Sequence, residues 1–364
     1  MDSNQHDWDD PEFAEAMSQM LRLTIGSSVA SGRLKRLGVA VSGGSDSMAL
    51  LDLMVWNAKK LGFEVCAVTV DHGLRTEARE EAARVSSFCS QVGILHDVLV
   101  WKGWDGRGNL QGRARKARYK LIADWAKQRK ITRVALGHTE DDQAETVMMR
   151  LARKSGVDGL SAMERSVERD GVTWVRPLLG TSRTDLRGYL RTQGIRWSED
   201  PSNDDDTFER VRARKALAAL NEIGVDAHTL STVASNAQSA RWALDHYAWR
   251  EVEEIKAIEI IDGDVVFPEN FLTPEVQIPY EVGRRLMNAA FRWISGSSYA
   301  PRQSAFIEMD AALIEADKHT LGGCLVTRLK GARRIENKLR ITREYNAVKD
   351  HVTPTNELWD GRWV

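Results

Sequence analysis

Short apolar runs alternate with amphipathic patterns over the first half of this 364-residue chain. Runs rich in Val, Ala and Leu predict strands, and apolar residues spaced by three or four predict helices. The predicted strands are 37–41, 65–70, 95–101, 133–137 and 173–175, and the predicted helices are 46–60, 77–92, 111–130 and 140–153. This alternation predicts an α/β fold, a doubly wound parallel sheet that binds ligands at the carboxyl ends of its strands.

After Arg210 the pattern changes to long helical stretches, predicted at 211–221 and 228–260. A short mixed region follows, and then a hairpin with strands near 323–328 and 338–343. We therefore expect a helical domain after the sheet and a small C-terminal α+β region. The predicted divisions are an N-terminal helical extension, the α/β domain, the helical domain and the C-terminal region, at 1–33, 34–208, 209–300 and 301–364.

Composition narrows the class of protein. The formal net charge is −1, so any contact with nucleic acid needs local basic patches. The three cysteines are far apart and form no C-x-x-C pair, which argues for a reducing compartment without disulfides. The N-terminus is acidic, and the chain has no apolar run of about eighteen residues, so we expect a cytoplasmic protein outside the membrane.

The turn after the first predicted strand, S-G-G-S-D-S at 42–47, is the strongest chemical signal. Its two glycines let the backbone bend and direct N–H groups at one point, where the next helix adds its positive end. This arrangement predicts a phosphate-binding loop, with an ordinary strand-to-helix turn as the alternative. A kinase-type loop needs a lysine after its last glycine, and Ser45 stands there instead, which disfavours transfer of a γ-phosphate.

Polar residues also follow two other strands. Asp71 and His72 end the second strand, where a nucleotide on the loop would be within reach, although an ordinary polar turn explains them equally well. The acidic helix start after the fourth strand fits an N-terminus capped by Thr139. Glu145 lies beyond that first turn and on the same face as Asp142, so both carboxylates can bind one cation, which capping alone does not require.

The segment 102–133 carries many more lysines and arginines than acids. A solvated helix face is the ordinary interpretation of such a segment. Beside a phosphate-binding loop, contact with phosphates becomes the better one. We expect its arginines to face a nucleotide in part and a polynucleotide backbone in part.

An ordered set of motifs resembles the tRNA(Ile)-lysidine synthetases, which belong to the N-type ATP pyrophosphatase, or PP-loop, superfamily. The motifs are S-G-G-S-D-S at 42–47, D-H-G-L-R at 71–75, N-L-Q-G-R-A-R-K-A-R-Y at 109–119, G-H-T-E-D-D-Q-A-E-T from Gly137, R-P-L-L at 176–179 and D-P-S-N-D-D at 200–205. One such motif alone carries little weight, but the ordered set is specific.

The resemblance implies a Rossmann-like PP-loop fold and an ATP- and Mg²⁺-dependent ligase. Enzymes of this family join L-lysine to C2 of the wobble cytidine of the isoleucine tRNA with anticodon CAU. The reaction passes through an adenylated tRNA and gives lysidine, AMP and pyrophosphate.

The resemblance also implies roles for individual residues. The residues expected at the nucleotide are Ser42, Gly43, Gly44, Ser45, Asp46, Ser47, Asp71 and His72, and Asp46 is also the expected Mg²⁺ ligand. Asp142 and Glu145 are expected to bind the lysine substrate, and Asp46, His138 and Arg115 to act at the reacting atoms. The residues expected at the tRNA are Arg113, Arg118, Arg210, Arg214 and the basic hairpin residues Lys330, Arg333 and Arg334.

This chain departs from the family pattern at four places. Gln111 replaces a glutamate, Glu140 an alanine-type residue, Lys154 a glycine, and Val211 the asparagine of R-N-x-x-R. These departures concern local contacts, because the loop and the D-D-x-x-E carboxylates are intact. Core packing is the expected role of the C-terminal tryptophans, with stacking on bases as the alternative; they are Trp242, Trp249, Trp293, Trp359 and Trp363.

Three other functions remain open. A PP-loop tRNA thiolase would deliver sulfur, but Cys66 lies in an apolar strand and Cys89 in a helix, positions typical of inert thiols. A small-molecule amidotransferase or synthetase of the superfamily is disfavoured by the additional domains. An inactive RNA-binding relative need not keep Asp46, Asp142 and Glu145 together. The oligomeric state is not readable, and a homodimer is kept open.

Overall fold

The computed structural model describes residues 34–73, 77–102, 110–199, 209–254, 258–269, 271, 278–297, 300–330, 337–350 and 352. The predicted N-terminal extension and the D-P-S-N-D-D motif lie outside the described residues. Arg333, Arg334, Trp359 and Trp363, on which predictions rest, also lie outside them.

The first sheet has six strands in the order β3-β2-β1-β4-β6-β5. The strands are β1 Arg36–Ala40, β2 Glu64–Asp71, β3 Leu95–Val100, β4 Arg133–Leu136, β5 Ser166–Arg169 and β6 Val172–Val175. Neighbouring strands are parallel except for the antiparallel pair β5 and β6. The chain order reverses at β1, which has β2 on one side and β4 on the other. The crevice at their carboxyl ends is therefore the topological switch point, where α/β proteins bind ligands.

Helices flank this sheet; the first four of them agree with the predicted ones to within a few residues, and the two that follow had no predicted counterpart. They are α1 Ser45–Leu61, α2 Glu77–Val92, α3 Leu110–Gln128, α4 Glu140–Ala152, α5 Val157–Leu160 and α6 Arg183–Thr192. α1 packs in the same core as β1, where Leu37, Leu50 and Leu51 are fully buried. This packing holds the N-terminus of α1 at the carboxyl edge of the sheet. The predicted doubly wound α/β fold is confirmed.

The helices that follow residue 208 begin within the same compact unit. They are α7 Glu209–Leu220, a 3-10 turn Asn221–Ile223 and α8 Ala227–Glu254. Leu230 and Ala234 of α8 share a buried cluster with Ala144 and Val147 of α4. The chain divides into two compact units, 1–238 and 239–364, so the division falls inside α8. The four-part division expected from the sequence stays a prediction.

The second unit contains an antiparallel sheet of five strands in the order β7-β8-β11-β10-β9. Its elements are β7 Glu259–Ile261, β8 Asp264–Pro268, α9 Tyr280–Ser295, α10 Gln303–Glu315, β9 Lys318–Leu321, β10 Cys324–Leu329, β11 Lys338–Arg343 and α11 Tyr345–Val348. Phe267, Phe291 and Phe306 are fully buried in its core. The predicted hairpin is confirmed as β10 and β11.

Two expectations are wrong here. The helix predicted at 228–260 does not reach Ile260, because residues 259–261 form β7. This strand pairs with β8 across a turn at Asp262 and Gly263, which have φ angles of 48° and 80°. Core packing does not hold for Trp242, Trp249 and Trp293, which are 69%, 68% and 46% exposed. None of the helices in the described ranges is long and apolar enough to cross a membrane.

Candidate active site

The loop between β1 and α1 has the geometry of an anion-binding turn. Gly43 has a φ of 88°, which glycine adopts without strain. Gly44 is the N-cap of α1 and has no side chain to bond to the free N–H groups of the first turn. Ser47 Oγ closes the loop, since it donates to Gly44 O at 3.0 Å and accepts from Ser42 N at 3.1 Å. The first-turn N–H groups and the positive helix end can therefore bind phosphate.

The end of β4 lies directly against this first turn. A Cβ on Gly137 would lie 3.1 Å from the backbone C and O of Asp46 and from the Cα of Ser47. Backbone atoms cannot move aside as a flexible side chain can, so a larger residue at this position would press on the first turn of α1.

We expect Gly137→Ala to displace the first turn of α1. The free energy of unfolding should fall by about 1 to 3 kcal/mol, as for overpacked sites, and nucleotide binding should weaken. Gly156→Ala is the matched control, because a Cβ there meets no atom within 4 Å. Thermal unfolding and calorimetric titration with nucleotide measure both effects. Indistinguishable behaviour of the two variants would contradict the close packing.

A cleft of about 760 Å³ opens at this edge of the sheet. The loop lines one side, and His138, Asp142, Arg183 and Arg214 line the other. Clefts of this size bind small molecules or one part of a larger substrate. The structure thus brings the predicted loop, Asp46, His138 and Asp142 into one site.

Asp142 both caps α4 and faces the cleft. Its Oδ2 accepts from Thr139 N at 2.9 Å, and Thr139 Oγ1 accepts from Asp142 N, so the helix has a capping box. Its other oxygen, Oδ1, lies 3.5 Å from Arg183 Nη2 and 3.8 Å from Arg210 Nη1. The capping and cation-binding interpretations therefore hold for different oxygens of one carboxylate.

Glu145 lies on the same face, one turn further along α4, and its side chain is only 2% exposed. Its Oε1 accepts from Arg214 Nε at 3.0 Å. Its Oε2 is buried and has no hydrogen-bond partner among the described residues. A buried carboxylate oxygen without a donor is costly, so a cationic or N–H donor group that bonded to it would offset that cost.

Burial and neighbouring charges shift the pKa values of these groups in opposite directions. Burial raises the pKa of Asp142, but His138, Arg183, Arg210 and the Thr139 N–H together hold that pKa below its ordinary value. Burial and the charge of Asp142 raise the pKa of Glu145, against the effect of Arg214. Two carboxyl groups with diverging pKa values can divide the work of binding a cation and accepting a proton.

Burial lowers the pKa of His138 to about 4, so the imidazole is neutral at pH 7. Because its pKa in the unfolded chain is about 6.5, the unfolded state binds more protons between these two values. His138 therefore destabilises the fold as the pH falls from 6.5 towards 4. We expect wild type to lose about 1 to 2 kcal/mol more than His138→Asn between pH 7 and 5. Urea unfolding at both pH values measures this, and equal losses would contradict the neutral, buried state.

The other predicted residues of the first unit are more dispersed. Asp71 Oδ1 accepts from Gly73 N at 2.8 Å, so it supports its own turn. His72 Nε2 accepts from Arg118 Nε at 3.3 Å, and Arg118 lines the cleft. Arg113 and Arg115 are exposed on α3. Their expected contacts with substrates stay predictions.

The remaining described residues that were predicted to contact tRNA face carboxylates of the protein itself. Arg210 and Arg214 stand against Asp142 and Glu145, with 39% and 40% of their side chains exposed. In the second unit, Lys330 pairs with Asp317 at 2.8 Å. Contact of any of these with tRNA stays a prediction.

The four departures from the family pattern lie in different local surroundings. Glu140 is nearly buried and pairs with His228 Nδ1 of α8 at 2.9 Å, which raises the pKa of His228. Lys154 has a φ of 55°, a conformation that suits the glycine usual in the family. Val211 is buried on α7. Of Gln111, only the backbone in α3 is described.

Sequence reasoning missed three residues of the site. Arg183 and Arg187 project from the start of α6, where Arg183 Nε donates to Asp46 at 3.0 Å and Arg187 Nε to Ser45 Oγ at 3.5 Å. Ser198 N donates to Gly43 O at 2.8 Å, and this backbone hydrogen bond stabilises the loop. The sequence S-R-T-D at 182–185 could have predicted the start of α6. It is a helix-capping pattern, in which the Ser182 hydroxyl accepts a hydrogen bond from Asp185 N.

A glycine-bent loop on a buried α1, at the switch point of this sheet, defines a nucleotide-binding protein of the PP-loop class. A family model described as a PP-loop domain matches residues 17–220. A solved structure of the U34-tRNA thiolase NcsA from Methanococcus maripaludis is similar, with a TM-score of 0.54 and 18% identity over 64% of this chain and 80% of that one.

Curated relatives narrow the class. The tRNA(Ile)-lysidine synthase of Ruegeria pomeroyi is 47% identical over 91% of this chain and 76% of its own length. Those of Zymomonas mobilis and Wolbachia pipientis wMel are 37% and 34% identical over 84% and 90% of this chain, and over 87% and 76% of their own lengths. The chain belongs to the tRNA(Ile)-lysidine synthase family.

The likeness to the thiolase concerns the fold alone. The three thiols of this chain are buried. Burial raises the pKa of the Cys66 thiol, and that of Cys89 to about 11, so neither is a ready nucleophile. The thiolase interpretation is therefore disfavoured.

Proposed function

We propose that this chain ligates L-lysine to C2 of the wobble cytidine of the isoleucine tRNA with anticodon CAU, using ATP. The observation that carries the proposal is a phosphate-binding loop and the carboxylate of Asp142 in one cleft, with the buried carboxylate of Glu145 directly behind the arginines Arg183 and Arg214 that line it. A site that only cleaves or binds ATP has no need of a second, acidic half. The family relationship supports the same reaction.

The first step adenylates the base. The cytidine O2 attacks the α-phosphate of ATP, a P–O bond to it forms, and pyrophosphate leaves. Negative charge builds on the phosphate oxygens, where the N–H groups at the start of α1 stabilise it. Adenylation turns a poor electrophile, the C2 carbonyl, into a carbon with a good leaving group.

Asp46 suits a Mg²⁺ ion that arrives with the nucleotide. Magnesium is usually held by one or two carboxylates together with substrate phosphates, and Asp46 offers one carboxylate beside the loop. Burial raises the pKa of Asp46 against the effect of Arg183, so a cation there would offset the cost of ionisation. When bound, the ion would neutralise charge on the departing pyrophosphate.

The second step joins lysine to C2. Free lysine at neutral pH is an amine in only about one molecule in a thousand, so the site must bind the ammonium group and then remove a proton. Asp142, with its lowered pKa, is suited to bind the ammonium. Glu145, with its raised pKa and its unpartnered oxygen, is suited to accept the proton. The amine nitrogen then bonds to C2, the C2–O bond breaks, and AMP leaves.

The tRNA must be held while its cytidine is unstacked to enter the cleft. We assign this to the basic residues Arg113, Arg118, Arg210, Arg214, Lys330, Arg333 and Arg334. The proposal includes a cytoplasmic location and keeps a homodimer open.

We expect the hairpin residues to contribute sequence-independent affinity. Replacing Lys330, Arg333 and Arg334 together by alanine should lower tRNA affinity and reduce the salt slope by about 0.7 to 0.9 unit per lost phosphate contact. Lys349→Ala, an exposed basic residue of the same unit, is the control. Filter binding across a salt series measures the slope, and an unchanged slope in the triple variant would place the contacts elsewhere.

The reaction itself is tested by omission. Purified protein is incubated with ATP, lysine and the CAU-anticodon isoleucine tRNA, and each is left out in turn. Lysidine detected by nucleoside mass spectrometry only in the full mixture supports the proposal. A methionine tRNA with the same CAU anticodon serves as the control for specificity. Pyrophosphate release without tRNA would favour a small-molecule synthetase of the same superfamily, and tRNA binding without any chemistry would favour an inactive RNA-binding relative.

A further inference from the structure

Arg183 contacts carboxylates from both halves of the cleft. Its Nε donates to Asp46 Oδ2 at 3.0 Å, while Nη2 lies 3.5 Å from Asp142 Oδ1 and Nη1 lies 3.9 Å from Glu145 Oε1. The shortest contact is the one with Asp46. The guanidinium is therefore anchored at the nucleotide loop and held only loosely by the carboxylate pair.

The same guanidinium opposes a second cation at the carboxylate pair. An ammonium group that bonds to Asp142 and Glu145 would lie within a few ångströms of the Arg183 charge, in a partly buried site where repulsion is weakly screened. Arginine stays protonated at any pH at which the protein is folded, so loss of a proton cannot clear the site. Only movement of the side chain can remove the charge of Arg183, whereas the charges of Arg210 and Arg214, which also face the pair, are common to all the variants compared below.

We propose that Arg183 is a movable counter-ion that couples the two substrates. Without nucleotide it neutralises Asp46 and weakens lysine binding. When a magnesium nucleotide engages Asp46, the guanidinium transfers to the phosphate oxygens, which it can bind in a bidentate manner, and leaves the carboxylate pair. Lysine then binds more tightly after the nucleotide. This inference rests on the proposed function and adds a positioning residue to it.

The side chain can be changed without removing the start of α6. The backbone N–H of Arg183 donates to Asp141 Oδ2 at 2.7 Å, and Ser182 caps the helix through Asp185 N. Neither contact needs the guanidinium. Arg191→Gln is a matched control. Arg191 lies on the same helix, but its guanidinium carbon lies 5.8 Å from the ring centroid of Trp197 and not among the residues that line the cleft.

The test is calorimetric titration of lysine into the full-length protein, with and without saturating magnesium α,β-methylene-ATP. For wild type and Arg191→Gln we expect the nucleotide analogue to tighten lysine binding about tenfold, within the usual range of coupling between sites. For Arg183→Gln we expect a ratio near one. Lysine should also bind this variant more tightly than wild type when nucleotide is absent, which a merely structural role would not produce. Arg183→Lys, which keeps the charge but cannot span three carboxylates, should show intermediate coupling.

Two results would overturn the inference. One is a wild-type ratio of one. The other is an Arg183→Gln variant that melts like wild type and binds lysine more weakly with and without the analogue. Lysidine formation by wild type is assayed separately. If wild type forms lysidine but shows no coupling, only the proposed role of Arg183 is rejected. If wild type forms no lysidine, or binds no lysine, the proposed function itself is rejected.

Discussion

Asp46→Asn is expected to abolish pyrophosphate release while leaving tRNA binding nearly intact. The amide keeps the shape of the side chain but loses the charge that would hold Mg²⁺ and that now pairs with Arg183. The loss should fall on the rate of adenylation and reach about a thousandfold or more, as for removal of a central catalytic group. Single-turnover release of pyrophosphate and filter binding of tRNA measure the two properties.

Asp52→Asn is the matched control for this prediction. Asp52 lies on the same helix, and its carboxylate accepts a hydrogen bond from Tyr189 Oη, which an amide oxygen can also accept. It should turn over normally. Normal turnover by Asp46→Asn as well would remove Asp46 from the site.

Glu145→Gln is expected to separate the two chemical steps. The amide keeps the volume of the buried side chain but cannot accept a proton from the ammonium group. We expect the lysine requirement to rise on the order of ten- to a hundredfold, which corresponds to the loss of one charge-assisted hydrogen bond. Adenylated tRNA should still form and accumulate, because Asp46 and the loop are untouched. Quench experiments with ATP labelled in the α-phosphate detect the accumulating species.

The control is Glu140→Gln, a carboxylate on the same helix that pairs with His228 instead of facing the cleft. It should keep the normal lysine requirement. If Glu145→Gln blocked adenylation and left lysine affinity unchanged, the helix would serve the nucleotide and the assignment of its carboxylates to lysine would be wrong.

Strands β1, β2, β4 and β6 of the first sheet are predictable because each is a largely buried apolar run bounded by polar turns. β5 and β7 do not show that pattern, because they are short and largely exposed. Their signal is instead the dipeptide Asp-Gly, at Asp170-Gly171 and Asp262-Gly263, where both residues have positive φ. Asp-Gly between short strands is the typical turn of a two-residue hairpin. Reading these two turns would have predicted both antiparallel pairs.

The loop and the carboxylate pair are predictable because their residues stand close together in the sequence. Arg183 is not, since its partners Asp46 and Asp142 lie 137 and 41 residues away. Only the folded sheet brings them together. The exposure of Trp242 and Trp249 has a related cause: an aromatic residue predicts burial on average, but the composition of a long helix does not show which of its faces meets another element.

The contact between Glu140 and His228 constrains the order in which these residues could have been acquired. A carboxylate introduced alone at position 140 would be nearly buried without a cationic partner, which is strongly destabilising. A histidine introduced alone at position 228 would sit largely in solvent, where a change is close to neutral. The histidine is therefore the permissive substitution, and the glutamate depends on it. On the path back to the alanine-type residue of the family, loss of the histidine before the glutamate would be the harder order, because it leaves the buried carboxylate without its partner.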